Sequence, residues 1–492
     1  MSKFTFIDLF SGIGGFRIGL ERHGGKCLGF SEIDSDAIKY YYENFGKEKN
    51  HNLGDITEIN ELPKHDLLTA GVPCQSWSIA GNNLGFEDDR GQLWNDTIFL
   101  LNKSKPKAFI FENVKGLQDP RNKLAFEYIL MRIKKAGYHA KPFLINSHDY
   151  GVPQNRIRVY IVGFRNKKFL NKFQLPEKIL NGKKLFHYLN DLPIPNFEKK
   201  KIESSVLFGN NVPFSRTKFQ KNDELNDFFL FNDIRNGHST IHSWDLIETT
   251  NREKEICYLL LKNRRKKTYG PFDGNPLSLA HFKKLDSKIL KSELKKLCSK
   301  EILKEVGFAY KIINSNFSEL DNNEKLILSH SKGQKLFFND LKKSKELKKK
   351  KIKFRPLIER LIAKKYLSLI EVRYDFVNSK ISSGINGINR IYLPNSDIFS
   401  TLVASDTNDY ISTINISASN PMEFKNTFMN NVIAPNNYRK ISKKEALIIQ
   451  GFKSEFVLPE KRTKWMKLVG NSVSVPVIDN LCESIVKTGV FK

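Results

Sequence analysis

Along the first 165 residues, short apolar runs alternate with stretches whose apolar residues recur every three or four positions. The first kind of pattern predicts buried strands and the second amphipathic helices. Strands are expected at 4–10, 26–31, 67–70, 108–111, 138–145 and 158–164, with a short one ending at Gly54-Asp55-Ile56. Helices are expected from Phe16 onward, at 34–45, at 93–101 and at 122–135. The last of these carries Leu124, Tyr128 and Met131 on one apolar face, and Gly137 suits its carboxy-terminal cap. Such an alternation predicts an α/β fold, a mostly parallel sheet with helices on both faces.

In open α/β sheets, ligands bind beyond the carboxyl ends of the strands. The first strand runs straight into Ser11-Gly12-Ile13-Gly14-Gly15 and then a helix, the start of a nucleotide-binding unit. The full Gly-x-Gly-x-x-Gly spacing is missing, which points to an adenosine ligand without a pyrophosphate. Glu32 ends the second strand, where a carboxylate accepts hydrogen bonds from ribose hydroxyls; Asp55 is placed to meet an adenine amino group. Cys74 follows Gly71-Val72-Pro73 at the exit of the strand at 67–70. A lone cysteine is ordinarily a small buried hydrophobe. This one opens a polar stretch, 75–92, that is long for a loop and has the character of a lid. Glu32, Asp55, Cys74 and Glu112 all fall at strand ends, and packing alone does not explain that coincidence.

Charge and cysteine usage narrow the class. The 81 basic against 53 acidic residues leave a net charge of +28, which suits a nucleic acid partner, although a general lysine bias would raise it too. The five cysteines, at 27, 74, 257, 298 and 482, form no Cys-x-x-Cys pair, so neither a zinc site nor a disulfide framework is expected. No signal-peptide pattern and no apolar run of membrane-spanning length stand out, so a cytoplasmic protein with no membrane contact is expected.

The motifs then add up. Asp8-Leu-Phe-Ser-Gly-Ile-Gly-Gly-Phe16, Gly71-Val-Pro-Cys-Gln-Ser-Trp-Ser78, Glu112-Asn113-Val114 and Gln154-Asn-Arg-Ile-Arg158 lie in the first third. Arg439-Lys-Ile-Ser-Lys-Lys-Glu-Ala446, Gln450-Gly-Phe452 and Gly470-Asn-Ser-Val473 lie near the far end. In this order and spacing the chain resembles the DNA cytosine-5 methyltransferases, especially the bacterial restriction–modification enzymes, over residues 4–165 and about 437–490. The resemblance implies a Rossmann-like S-adenosylmethionine-dependent methyltransferase domain at 1–185, an enlarged target recognition domain at 186–436, and a hinge and return to the catalytic domain at 437–492. It implies methyl transfer to carbon 5 of a flipped-out cytosine in a specific double-stranded DNA sequence. The chain would be a monomer and would protect host DNA from a cognate restriction endonuclease. Cys74 would add to carbon 6, and Glu112 would hydrogen-bond the ring's N3 and amino group. Arg156 and Arg158 would support the site, one toward the base and the other holding Glu112 or the loop. Phe10, Gly12, Gly14, Glu32, Asp55, Pro73 and Asn471 would surround the cofactor. Gln75, Ser76 and Arg90 would face DNA from the mobile loop, and no metal is needed.

Between about 186 and 436 the strand–helix rhythm disappears. Leu290, Leu294 and Leu297 share one helical face, as do Ile358, Leu361 and Ile362. Residues 341–354 hold eight lysines, expected to contact phosphates and to supply affinity rather than sequence choice. Thr401-Leu402 resembles the family's threonine–aliphatic mark in the recognition domain. His238, His242 and Trp244 offer a His-x-x-x-His spacing without a third ligand and read as structural. Three rivals weigh less. The transfer RNA branch of the family carries a Cys-Phe-Thr tripeptide that this sequence lacks. Binding-only relatives lose the nucleophile or the glutamate, and both are present. No nuclease arrangement stands out in the insert.

Overall fold

The computed structural model describes residues 3–47, 51–73, 89–179, 183–189, 192, 227–233, 239–379 and 384–492. The chain divides into two compact units, one made of Met1–Phe228 with Ile391–Lys492, the other of Phe229–Arg390. The expected boundary of the insert at 186–436 was wider: residues 391–436 fall with the first unit.

The first unit is built on a six-stranded sheet. Its strands are β1 (Phe4–Leu9), β2 (Gly25–Ser31), β3 (Leu67–Gly71), β4 (Ala108–Val114), β5 (His139–Asn146) and β6 (Ile157–Phe164). They lie in the order β2-β1-β3-β4-β6-β5. The pairs β1–β2, β1–β3 and β3–β4 are parallel, and β6 runs antiparallel to both β4 and β5. This is the expected Rossmann-like α/β arrangement. The central strands are buried on both faces, so they read as continuous apolar runs rather than alternating ones.

Helices α1 (Gly15–Glu21) and α2 (Ser35–Phe45) follow β1 and β2, and α3 (Asp89–Ser104) and α4 (Lys123–Lys135) follow β3 and β4. On one face, Phe4, Phe6, Leu67 and Ile110 pack with Phe16 and Leu20 of α1 and with the helix Val475–Lys487. That helix buries Val477, Ile478, Leu481, Cys482 and Ile485, one stripe at three- and four-residue spacing. Each such aliphatic side chain contributes roughly 1.5–3 kcal/mol on burial. On the other face, Ile7, Leu9, Leu68 and Phe109 pack with Trp94 and Ile98 of α3 and Ile129 and Ile133 of α4.

Two local expectations need correction. The buried face of α4 is Ile129 and Ile133, whereas Leu124 is 83% exposed and Tyr128 and Met131 are also exposed. Both stripes satisfy the helical period, and the period does not say which one meets the sheet. The short strand before Gly54 is reduced to a single bridge between Phe30 and Asn52.

The second unit holds a three-stranded sheet of Leu303–Ile312, Lys335–Phe337 and Leu367–Phe376, with Leu303–Ile312 in the centre. Seven of its helices are Asn251–Asn263, Leu279–Leu285, Lys291–Ser299, Asn322–Leu328, Phe338–Lys343, Lys345–Lys349 and Phe354–Ala363. Leu294, Leu297, Ile358 and Leu361 are buried as the period predicts, while Leu290 and Ile362 are exposed. Leu341 and Leu347 are buried, so the lysine-rich run folds as short helices rather than a solvated tail. The His242 ring stacks on Trp244 with centroids 4.2 Å apart; His238 lies outside the described residues. No helix among the described residues is long and apolar enough to cross a membrane.

Candidate active site

The carboxyl ends of β1 and β2 build a cradle. Phe10 leaves β1 with φ 54°, a left-handed conformation costly for a non-glycine residue, and Gly12 follows at φ 54°. A Cβ on Gly12 would meet nothing within 4 Å, so the turn is open where a ligand approaches the backbone. Gly14 caps α1 from the left-handed region. Glu32 is held by main-chain donors: the Gly12 amide gives 2.9 Å to Oε2, and the Ile33 and Asp34 amides give 2.8 Å each to Oε1. Asn52 pins the Glu32 backbone in both directions. With three of about four acceptor positions filled, Oε2 retains room for one further donor. Asp55 Oδ1 accepts from the Thr57 amide and hydroxyl, each at 2.9 Å. Burial, with Asp55 opposite, raises the Asp96 carboxyl above its usual range. Ile33, beside Glu32, is 70% exposed, a branched apolar side chain left open at the rim. An open backbone turn, an oriented carboxylate and an apolar lip fit an adenosine-bearing ligand such as S-adenosylmethionine. Ile33 was not singled out from the sequence, where an isoleucine after a strand carries no signal.

The ends of β3, β4 and β6 form the second half. Glu112 stands opposite Gly71 in the β3–β4 ladder and opposite Tyr160 in the β4–β6 ladder. It is buried, and Arg158 Nε lies 3.1 Å from its Oε1. Burial raises its carboxyl above the usual range; Arg158 and then Arg156 pull it back. The Asn113 amide donates to the Val72 carbonyl at 3.1 Å, tying β4 to the backbone just before Pro73. Cys74, Gln75 and Ser76 lie outside the described residues, and of Arg90 only the backbone, in the first turn of α3, is described.

Arg156 does not share the place of Arg158. Its guanidinium is 2% exposed and donates to the carbonyls of Leu402 at 2.9 Å, Gly470 at 3.2 Å and Ser472 at 2.7 Å. These bonds form a main-chain clamp, and Arg158 is the one of the two that meets Glu112 directly. Gln154 completes the clamp: its amide nitrogen donates to the Ile449 carbonyl and to Gln450, and its oxygen accepts from the Leu402 amide. Thr401 hydrogen-bonds the Asn155 carbonyl, and Leu402 is buried. The Thr401-Leu402 pair falls within the first unit, Thr401 bonded through its hydroxyl and Leu402 through its backbone. Gly470 is needed here, since a Cβ would come 2.4 Å from the Val403 carbonyl carbon. Asn471 is exposed beside it, and Val473 packs against Gly15 and Gly71 at the cradle.

Four motif segments that are far apart in sequence therefore meet behind two adjoining strand-end sites. Comparison with known proteins gives the same grouping a family. The family model described as C-5 cytosine-specific DNA methylase matches residues 4–487. The Type II methyltransferase M.HgiBI of Herpetosiphon aurantiacus is 40% identical over 100% of this chain and 99% of its own length. The Type II methylase M.HgiEI of the same organism is 41% identical over 97% of this chain and 95% of its own. Among solved structures, the Entamoeba histolytica methyltransferase EhMeth aligns over 99% of both chains at 16% identity and a TM-score of 0.47. The chain belongs to the C-5 cytosine-specific DNA methylase family, and it is a DNA cytosine-5 methyltransferase that uses S-adenosylmethionine.

Proposed function

We propose that this enzyme methylates a cytosine within one specific sequence of double-stranded DNA, with Cys74 as nucleophile and Glu112 as the acid at the ring. It does so as a monomer in the cytoplasm, protecting DNA from a cognate restriction endonuclease, a role the names of its Type II relatives support. The observation that carries the reading is Glu112, buried, oriented by Arg158, and paired across the ladder with Gly71, three residues before Cys74.

Carbon 5 of cytosine is a weak nucleophile while the ring is aromatic. The Cys74 thiolate forms a bond to carbon 6, and the displaced electron pair makes carbon 5 enamine-like. N3 becomes more basic as this happens, and burial shifts the Glu112 carboxyl toward the protonated form that can donate there. S-adenosylmethionine supplies an electrophilic methyl group; Phe10, Gly12, Gly14, Glu32, Asp55, Pro73 and Asn471 are the residues we assign to hold it. Loss of the carbon 5 proton then expels Cys74 and restores aromaticity. The base must leave the helix to be attacked on its face. Gln75, Ser76 and Arg90 are assigned to the loop that closes over it. The other four cysteines are poor rivals: burial pushes Cys27 and Cys298 up to about 11, and Cys257 and Cys482 higher still.

Duplex DNA carrying 5-fluorocytosine at the target tests the chemistry. Fluorine cannot leave as a cation, so the protein should remain bonded to DNA through denaturing electrophoresis, and only with S-adenosylmethionine present. Cys74→Ser should abolish the adduct and Glu112→Gln should slow its formation. An adduct that persists in Cys74→Ser, or forms as fast on RNA as on DNA, overturns the assignment.

A further inference from the structure

The inserted unit contains the same piece of structure twice. Helix Asn251–Asn263 begins with a capping box of Thr250 and Glu253, and helix Asn322–Leu328 with one of Asp321 and Glu324. Lys300 Nζ lies 2.8 Å from Glu253, and Lys364 Nζ lies 2.9 Å from Glu324. Lys296 and Arg360 approach the same two glutamates at 3.5 and 4.0 Å. Helix Lys291–Ser299 buries Leu294 and Leu297; helix Phe354–Ala363 buries Ile358 and Leu361. Each helix ends in a left-handed residue, Glu301 at φ 57° and Lys365 at φ 60°. The next amide closes the turn in each case, Ile302 to the Leu297 carbonyl and Tyr366 to the Leu361 carbonyl. From Lys291 onward, every equivalent pair is 64 positions apart.

The two copies are joined by a local two-fold axis. Strands Leu303–Ile312 and Leu367–Phe376 pair antiparallel, Leu303 with Phe376 and Ile312 with Leu367, so each end of one strand meets the opposite end of its copy. The bonds beyond the ladder obey the same relation: the Val377 amide donates to the Ile302 carbonyl, and the Ile313 amide to the Tyr366 carbonyl. The short preceding strands are exchanged. Leu277, from the first copy, bridges Tyr374 in the second, and Leu336, from the second, pairs with Tyr310 in the first. An axis relating two antiparallel strands in this way runs perpendicular to their sheet, so equivalent helices flank the same face.

We propose that this unit is an internal duplication, and that helices Lys291–Ser299 and Phe354–Ala363 are two equivalent DNA-contacting elements that grip one duplex at two positions. The proposal rests on the reading of the enzyme as one that acts on duplex DNA. Each copy runs helix, short strand or bridge, helix, helix, strand, the second with one additional short helix, Lys345–Lys349, before its last helix. In helix-turn-helix proteins it is the second helix of a pair that faces the duplex. Exposed basic residues stand at matching positions: Lys291 and Arg355 at the starts of the two helices, and Lys284 and Lys343 at the ends of helices Leu279–Leu285 and Phe338–Lys343, while Glu359 of the second copy stands where the first has Lys295. The acidic groups beside the first helix, Asp286 and Glu293, are held by Arg252 at 2.7 and 3.1 Å and do not oppose a phosphate. A DNA duplex has local two-fold axes relating its strands, so a protein with a matching axis presents equal groups to both backbones.

The test uses the whole chain and measures duplex binding over a salt series, with S-adenosylmethionine binding by calorimetry as the control for folding. K284Q/K291Q and K343Q/R355Q should each weaken DNA binding. Each should flatten the slope of log K against log salt by about 0.9 per lost phosphate contact. The fourfold variant should show the sum, with the methylated sequence unchanged. A lowered slope in only one pair, in neither, or equally in K134Q/K135Q on the distant helix α4, overturns the proposal. If the unsubstituted protein neither binds nor methylates duplex DNA, it is the underlying functional reading that fails.

Discussion

Asp8 is fully buried in β1, with one oxygen bonded by the Thr69 hydroxyl at 2.9 Å and the other without a partner. Burial pushes its carboxyl up to about 7. Between about pH 4 and pH 7 the folded chain therefore holds a proton that the unfolded chain has lost. The stability from this group is complete below about pH 4 and disappears as pH rises through 7. Asp8→Asn mimics the protonated form, so relative to the unsubstituted protein it should gain stability at pH 8 over pH 5. One pKa unit being about 1.4 kcal/mol, the gain should be on the order of 2–4 kcal/mol. Urea unfolding at the two values measures it, and an equal difference at both would refute the assignment. Glu32 makes the second prediction at this scale. Glu32→Ala removes an acceptor for one ribose hydroxyl, worth roughly 1.5–3 kcal/mol, and also frees the Gly12 turn. S-adenosylmethionine affinity should fall by about tenfold or more, with Glu32→Gln intermediate; unchanged calorimetry would remove Glu32 from the cradle. Asp8 was legible as a letter in a motif and Glu32 as the end of a strand, but their environments were not. A sequence reports that a carboxylate ends a strand, and does not report how many amides already bond it.

The same limit sets what could be read of whole elements. The strands and helices of the catalytic unit are legible because its central strands, buried on both faces, read as unbroken apolar runs and its helices carry apolar residues at three- and four-residue spacing. The face of α4 did not follow, since two apolar stripes compete. The role of Arg156 did not either, because its partners are carbonyls more than 240 residues away. Removing it should be costly. Arg156→Met strands the buried Leu402 and Gly470 carbonyls, each at roughly 1–3 kcal/mol, while Ser472 keeps the Gln450 amide at 2.8 Å, and should lower unfolding stability by several kcal/mol. Arg156→Lys, with one nitrogen for three acceptors, should recover only part. A loss below about 1 kcal/mol in urea would show that the clamp is loose. The duplication in the insert escaped for a separate reason. Its copies are 64 positions apart from Lys291 onward, 71 apart at Glu253 and Glu324, and 59 apart at Leu277 and Leu336. A repeat whose spacing drifts, and whose shared letters are mostly leucine and lysine, has no period to detect.

At the scale of the molecule, the division into two units separates two kinds of legibility. The catalytic unit could be recognised because its chemistry demands particular residues at strand ends. The inserted unit could not, since a surface for phosphates needs only basic residues on a rigid frame, and many sequences supply that. One feature of the catalytic unit bears on how the enzyme is made. The face of the sheet that carries Phe4, Phe6 and Leu67 is covered by the helix Val475–Lys487, from the far end of the chain. A ribosome adding roughly 5–20 residues per second needs tens of seconds between the two. Throughout that interval the earliest strands are finished while the helix that shields them does not yet exist. The nascent enzyme therefore waits with that apolar surface covered only in part, by Phe16 and Leu20 of α1, and the catalytic unit is complete only after the helix Val475–Lys487 has been translated.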